Sequence, residues 1–182
     1  MSWLKWVGLV FAGLAVVAAV LFLDYYLPST ELVQVTGHEV KRMDTGTDKA
    51  SGQPVTRDVR FIYAKGKDDG KDYAFRNEDT GWGWPPYFKF DSGDLTAKAN
   101  NIKETQPDST GLLTYYGWRI TYFDLYPNAV DLEVVDPDYK PFPLFKILFV
   151  SVLIVLVGLC VYWFRWGRYK SWLKQEGSRR EG

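Results

Sequence analysis

Residues 77–94 read NEDTGWGWPPYFKFDSGD, and this stretch divides the chain into the parts from which its fold can be read. It brings Trp82, Trp84, Tyr87, Phe88 and Phe90 together with Glu78, Asp79, Asp91 and Asp94. Pro85 and Pro86 fix φ and carry no N–H donor, which excludes the interior of a helix or a central strand. Gly81 and Gly83 admit backbone angles that a Cβ resists. The stretch therefore predicts a shaped, aromatic-lined turn. Pro85 holds Trp84 to extended angles, so Trp84 is the ring expected to pack inward and Trp82 the one expected to face solvent.

Working back toward the N-terminus, the apolar period is two. Val33 and Val35 alternate with Gln34 and Thr36 until Gly37 breaks the phase, which predicts one long strand with a bulge. Residues 44–54 are rich in Gly, Asp, Ser and Thr and predict a loop. Val55–Ala64 predicts a strand with Val55, Val59, Phe61 and Tyr63 on one face and Asp58 and Arg60 on the other. A turn centred on Asp69-Gly70 leads into Asp72–Asn77, closing a hairpin with Tyr73 and Phe75 inward.

Working forward, Asp91 or Ser92 is placed to cap a short helix on which Leu95, Ala99 and Ile102 share a face. Leu112–Phe123 predicts a strand with Leu112, Tyr116, Trp118, Ile120 and Tyr122 on one side. Val130, Leu132 and Val134 alternate with Asp131 and Glu133 in a last strand. Three strands, one helix and two strands is the element order of an OB-like antiparallel barrel, a closed Greek key that removes edge strands. The expected domain is therefore small and mostly β, of the α+β kind.

Two apolar runs flank it. Trp6–Leu23 contains no charge and as a helix would reach about 27 Å at ~1.5 Å per residue, close to the hydrocarbon thickness of a bilayer. Trp3 and Trp6 lie at one edge and Tyr25 and Tyr26 at the other, as in an aromatic belt. A cleaved signal peptide is the rival reading, but Val20–Leu23 stays apolar beyond the small residues that cleavage would use. Gly8, Ala12, Ala15 and Ala19 share a helical face and would admit a second helix, unless they only reflect the abundance of alanine in such helices.

The second run, Leu144–Phe164, contains only Lys146, one turn from its start, and a basic tail with Arg165, Arg168, Lys170, Lys174, Arg179 and Arg180 follows. The segment Asp24–Pro143 holds 14 basic and 20 acidic residues, a net of −6, and the remainder nets +6. This split predicts a cytoplasmic N-terminus (1–5), a first transmembrane helix (6–24), an extracytoplasmic β domain (25–143), a second transmembrane helix (144–164) and a cytoplasmic tail (165–182). The expected location is the cytoplasmic (inner) membrane, with the domain on the periplasmic side. An acidic domain neutralises phosphates poorly, so nucleic acid is not an expected partner. Cys160, the single cysteine, excludes an intramolecular disulfide.

Four strings carry a resemblance: Arg57-Asp-Val-Arg-Phe-Ile62, Arg76 through Asp91, Tyr116-Gly-Trp-Arg119 and Pro127-Asn-Ala-Val130. Together with the flanking helices they resemble the bacterial family catalogued as domain of unknown function fifteen-twenty-three. The resemblance implies an envelope protein with two membrane helices. It brings no established activity and no catalytic residue.

The residues themselves offer little chemistry. His38 is the only histidine, and one imidazole does not make a metal site. Asp44, Gly46 and Asp48 match the start of a calcium loop, but Val55 stands where that register needs a bidentate Glu. No Walker, dinucleotide or nucleophile-elbow motif is present, so no cofactor, metal or catalytic residue is assigned. Glu78, Asp79, Asp91 and Asp94 beside an aromatic platform are what a sugar-cleaving cleft would use. The structural alternative has them capping the helix and pairing with Arg57, Arg76 or Arg119, and it is preferred.

Three functions from different classes follow. The first is a structural or protein-interaction module, meeting an envelope protein or self-associating through its helices. The second is a sugar- or lipid-binding module using Trp82, Trp84 and Tyr87, with Glu78, Asp79 and Asp91 completing the surface. The third and least favoured is a carboxylate hydrolase.

Overall fold

A computed structural model describes residues 3–47 and 54–180. The centre of the expected loop (48–53, with Asp48 of the calcium register) lies outside the described residues. So do the side chains of Gly8, Ala12 and Val55 and those of the tail from Arg168 onward. In chain order the elements are α1 (Trp3–Tyr26), β1 (Ser29–Thr47), β2 (Pro54–Gly66), β3 (Asp72–Arg76), α2 (Ser92–Thr105), β4 (Thr110–Tyr116), a 3-10 turn (Thr121–Phe123), β5 (Asn128–Val135) and α3 (Leu144–Arg180). The fold is mostly β with three helices, in two compact units, residues 1–142 and 143–182.

In the first unit the five strands close on themselves in the order β1-β2-β3-β5-β4. β4 returns to β1 with Ser29 opposite Tyr115. Closure is local: β1 meets β4 only over Ser29–Val33 and β3 meets β5 at one residue pair, while the outer part of the β1–β2 ladder, beyond Phe61, has no third strand beside it among the described residues. All pairings are antiparallel except β3 with β5, which meet in parallel where Arg76 faces Asn128. β1 is long enough to pair with both neighbours. It shifts register between Val35 and Gly37, the bulge predicted at the phase break, and runs on to Thr47 into what reads as loop.

The interior takes Val33 and Val35 from β1, Ile62 and Ala64 from β2, Phe75 from β3, Leu113 from β4, and Ala129 and Leu132 from β5. Helix α2 closes this core with Leu95, Ala99 and Ile102. Gly111 sits where β4 passes β1 and β5; a Cβ there would meet Leu132 Cδ1 at 3.0 Å.

On two strands the structure decides which face, left open by the alternation, looks inward. On β2 the core face is Ile62 and Ala64, whereas Val59 and Phe61 lie on the opposite, outer face and are buried there. Phe61 is covered from outside by the Tyr126 ring at 5.0 Å and by the Lys41 ammonium at 5.8 Å. Both faces are apolar because both are covered. On β4 the core residue is Leu113, not Leu112, and the strand ends at Tyr116. Gly117, at φ +91°, breaks it, so Trp118, Ile120 and Tyr122 leave the sheet. On β5, Val134 is exposed.

Among the described residues, one helix is long and apolar enough to cross a membrane, at Leu144–Gly167, and α1 contributes a shorter apolar piece, Gly13–Tyr26.

Candidate functional site

The last carbonyls of a helix have no partner within it, and α1 ends by giving its own to the barrel. Tyr25 O accepts the Gly117 N–H at 2.8 Å, and Tyr26 O accepts the Tyr87 hydroxyl at 2.6 Å. The Trp118 indole donates to the Asp24 carboxylate at 3.0 Å, and its ring meets Tyr25 edge-on at 5.2 Å. Tyr87 also stacks on Tyr116 at 4.8 Å with 10° between the planes. Burial raises the pKa of both phenols, so the Tyr87 proton stays on the oxygen that donates to the helix.

Residues 77–91, between β3 and α2, supply the rest of this rim. Trp84 is 64% exposed and Trp82 84%, so neither plugs the barrel. Trp84 lies against α1, 6.1 Å from Phe22 and 5.4 Å from Tyr26. Trp82 meets the rings of Phe88 and Phe90, at 5.6 and 5.4 Å. The expectation that Trp84 packs inward is not met: the group that enters the protein is not the indole but Pro85, which follows a cis peptide bond and is buried.

Two of the acids, Glu78 and Asp79, have structural partners. Glu78 binds Arg57 at 2.7 Å and, with its other oxygen, Arg76. Asp79 accepts the Ser92 N–H at 2.8 Å and the Ser92 hydroxyl at 2.9 Å. Asp79 therefore holds the start of α2, whereas Asp91 occupies the cap position, makes no side-chain capping bond and is exposed. Arg119 lies over the Tyr126 ring, 3.8 Å from its centroid, and pairs with Asp124 rather than with the turn. A cleft of about 230 Å³ opens among Tyr25, Trp84, Tyr116, Tyr126 and the Arg57–Glu78–Arg76 triad. Of the sequence-derived candidates, Trp84, Glu78 and Asp79 line it; Trp82, Tyr87 and Asp91 do not.

Lys89 was missed by sequence reasoning. It is 4% exposed, its ammonium donating to Ala129 O at 2.6 Å and to Asn77 Oδ1. Asn77 is itself buried and donates to Ser92 O at 2.7 Å and Thr96 Oγ1 at 2.8 Å. Burial pulls the Lys89 amine down to about 8, against the opposing pull of Asp91, Asp79, Asp131 and Glu78. A lysine flanked by two exposed phenylalanines gives no sign in sequence that it points inward. His38 lies exposed on β1, and among the described residues no group of three or more His, Cys, Asp or Glu is placed to hold a metal.

The profile of a family described as a protein of unknown function, DUF1523, matches residues 4–170. An uncharacterised protein of Haemophilus influenzae is 42% identical over 125 residues, 65% of this chain and 68% of that protein. No solved structure matches.

Proposed function

The chain belongs to DUF1523, a family of unknown function, and on that premise we propose a two-pass protein of the bacterial cytoplasmic membrane that displays an OB-like barrel on the periplasmic side as a structural or protein-interaction module. The observation that carries this is the junction at the end of α1. Backbone, hydroxyl and indole donors of the barrel bind Tyr25 O, Tyr26 O and Asp24, so helix and barrel form one continuous body. A helix whose apolar residues are exposed along its length has no protein core to bury them, and lipid is the solvent that suits it. The strand order, with its one parallel contact between β3 and β5, supports the OB-like reading.

The partners of Glu78 and Asp79 favour this module over a hydrolase, since both carboxylates hold protein donors. Sugar or lipid binding is the second reading, favoured by the exposure of Trp82 and Trp84. Topology is tested on intact cells with an impermeant thiol reagent against Asn101→Cys, at an exposed position of α2, and Ser178→Cys in the basic tail. Asn101→Cys is expected to label and Ser178→Cys to stay silent; the reverse would overturn the orientation. Pull-down from detergent after mild crosslinking reads the module itself: a reproducible envelope protein or a crosslinked dimer supports it, and the bare monomer counts against it.

A further inference from the structure

We propose that the barrel is bedded in the bilayer surface, with an aromatic collar around the exit of α1 entering the headgroup layer, and is not merely tethered above it. This rests on the membrane-anchored reading and goes beyond it by naming the lipid-facing surface. The pairing of the strands defines the collar. Ser29 of β1 faces Tyr115 of β4, Arg76 of β3 faces Asn128 of β5, and Tyr116 of β4 faces that same Asn128. The start of β1, the ends of β3 and β4 and the start of β5 thus share one rim. α1 enters at that rim, and the two long loops 77–91 and 117–127 leave from it.

Those two loops carry most of the large exposed aromatics of the barrel unit, the others being Tyr139 and Phe142 after β5. Trp82 leans on Phe88 and Phe90, each more than half exposed. Tyr122 is 90% and Phe123 67% exposed in the 3-10 turn. Water-facing rings in such number on a single rim are not scattered surface residues. Trp84 fixes the depth: it lies against Phe22 and Tyr26 on the last turn of α1, where a spanning helix meets the headgroups and where Trp and Tyr are favoured. At the opposite rim the β2–β3 turn is polar, reading Lys67-Asp-Asp-Gly-Lys71, and beside it runs the segment after β5, which carries the half-exposed Tyr139. One end of the barrel suits the interface and the other suits water.

The test uses the full chain, with Cys160→Ser, reconstituted into phosphatidylcholine–phosphatidylglycerol vesicles. Spin labels are placed singly at Phe88→Cys, Tyr122→Cys and, as the water reference, Asp68→Cys; all three positions are exposed. Collision with oxygen, which concentrates in lipid, is compared with collision with a water-soluble nickel chelate. The oxygen-to-nickel ratio at 88 and 122 is expected to exceed that at 68 severalfold. Chains that co-float with the vesicles while all three labels give the water ratio would overturn the collar and leave the anchor standing. A chain that does not co-float would overturn both.

Discussion

The stability of the barrel should rise with pH across the weakly alkaline range, because of Lys89. In the unfolded chain its amine holds a proton up to the ordinary lysine value of 10.5; in the fold burial lowers that to about 8. Below about pH 8 both states are charged and the native state carries the full penalty of a buried ammonium. Between about 8 and 10.5 the unfolded chain binds a proton that the native state has lost, so stability increases with pH. At ~1.4 kcal/mol per pH unit of difference, the gain between about pH 7.5 and about pH 9.5 is ~2 kcal/mol. Tyr73, Tyr115, Tyr87 and Tyr116 have raised pKa values and act in the opposite sense above about 10, so the window ends below them. The measurement is urea denaturation of the full chain in detergent, followed by near-ultraviolet circular dichroism at both pH values, on wild type and Lys89→Met. The variant leaves Asn77 Oδ1 and Ala129 O without their donor and should lose the pH dependence. If wild type gains no stability relative to Lys89→Met, or loses it, the acids around the amine outweigh its burial and the reasoning is refuted.

Trp82→Ala should change stability by no more than about 0.5 kcal/mol, as at an exposed position, and Trp84→Ala by about 1 kcal/mol through its contacts with Phe22 and Tyr26; thermal melts of the two variants check this, and large equal losses would mean buried rings. Asn77→Ala removes the amide that joins Lys89, Ser92 and Thr96, at a cost of roughly 1–3 kcal/mol for each buried group left unpaired; a denaturant midpoint unchanged from wild type would contradict that. Residues 28–142 expressed without α1 should melt cooperatively with a β-type spectrum, because the core of the barrel contains no α1 residue; a non-cooperative melt would make the end of α1 part of the folding unit.

The five strands and the helices were legible in the chain, because each rests on local physics, whereas the 3-10 turn Thr121–Phe123 read as strand. Period-two alternation marks strands, the i, i+4, i+7 spacing of Leu95, Ala99 and Ile102 marks α2, and twin prolines exclude regular structure from the turn. The bulge near Gly37 and the pairing of Glu78 with Arg57 and Arg76 could be read the same way, from a break in phase and from charge. Which face of β2 looks inward could not. Val59 and Phe61 are as apolar as Ile62 and Ala64, and a period distinguishes two faces without saying which one a closed sheet turns inside. The end of β4 escaped for a related reason, since Tyr116, Trp118, Ile120 and Tyr122 keep a strand's alternation past Gly117, where the backbone stops following it. Lys89 depended wholly on the tertiary structure. Its burial is set by Asn77 Oδ1 and Ala129 O, the latter forty residues away, and only chain closure brings such acceptors to one amine and excludes the water that would otherwise have solvated it.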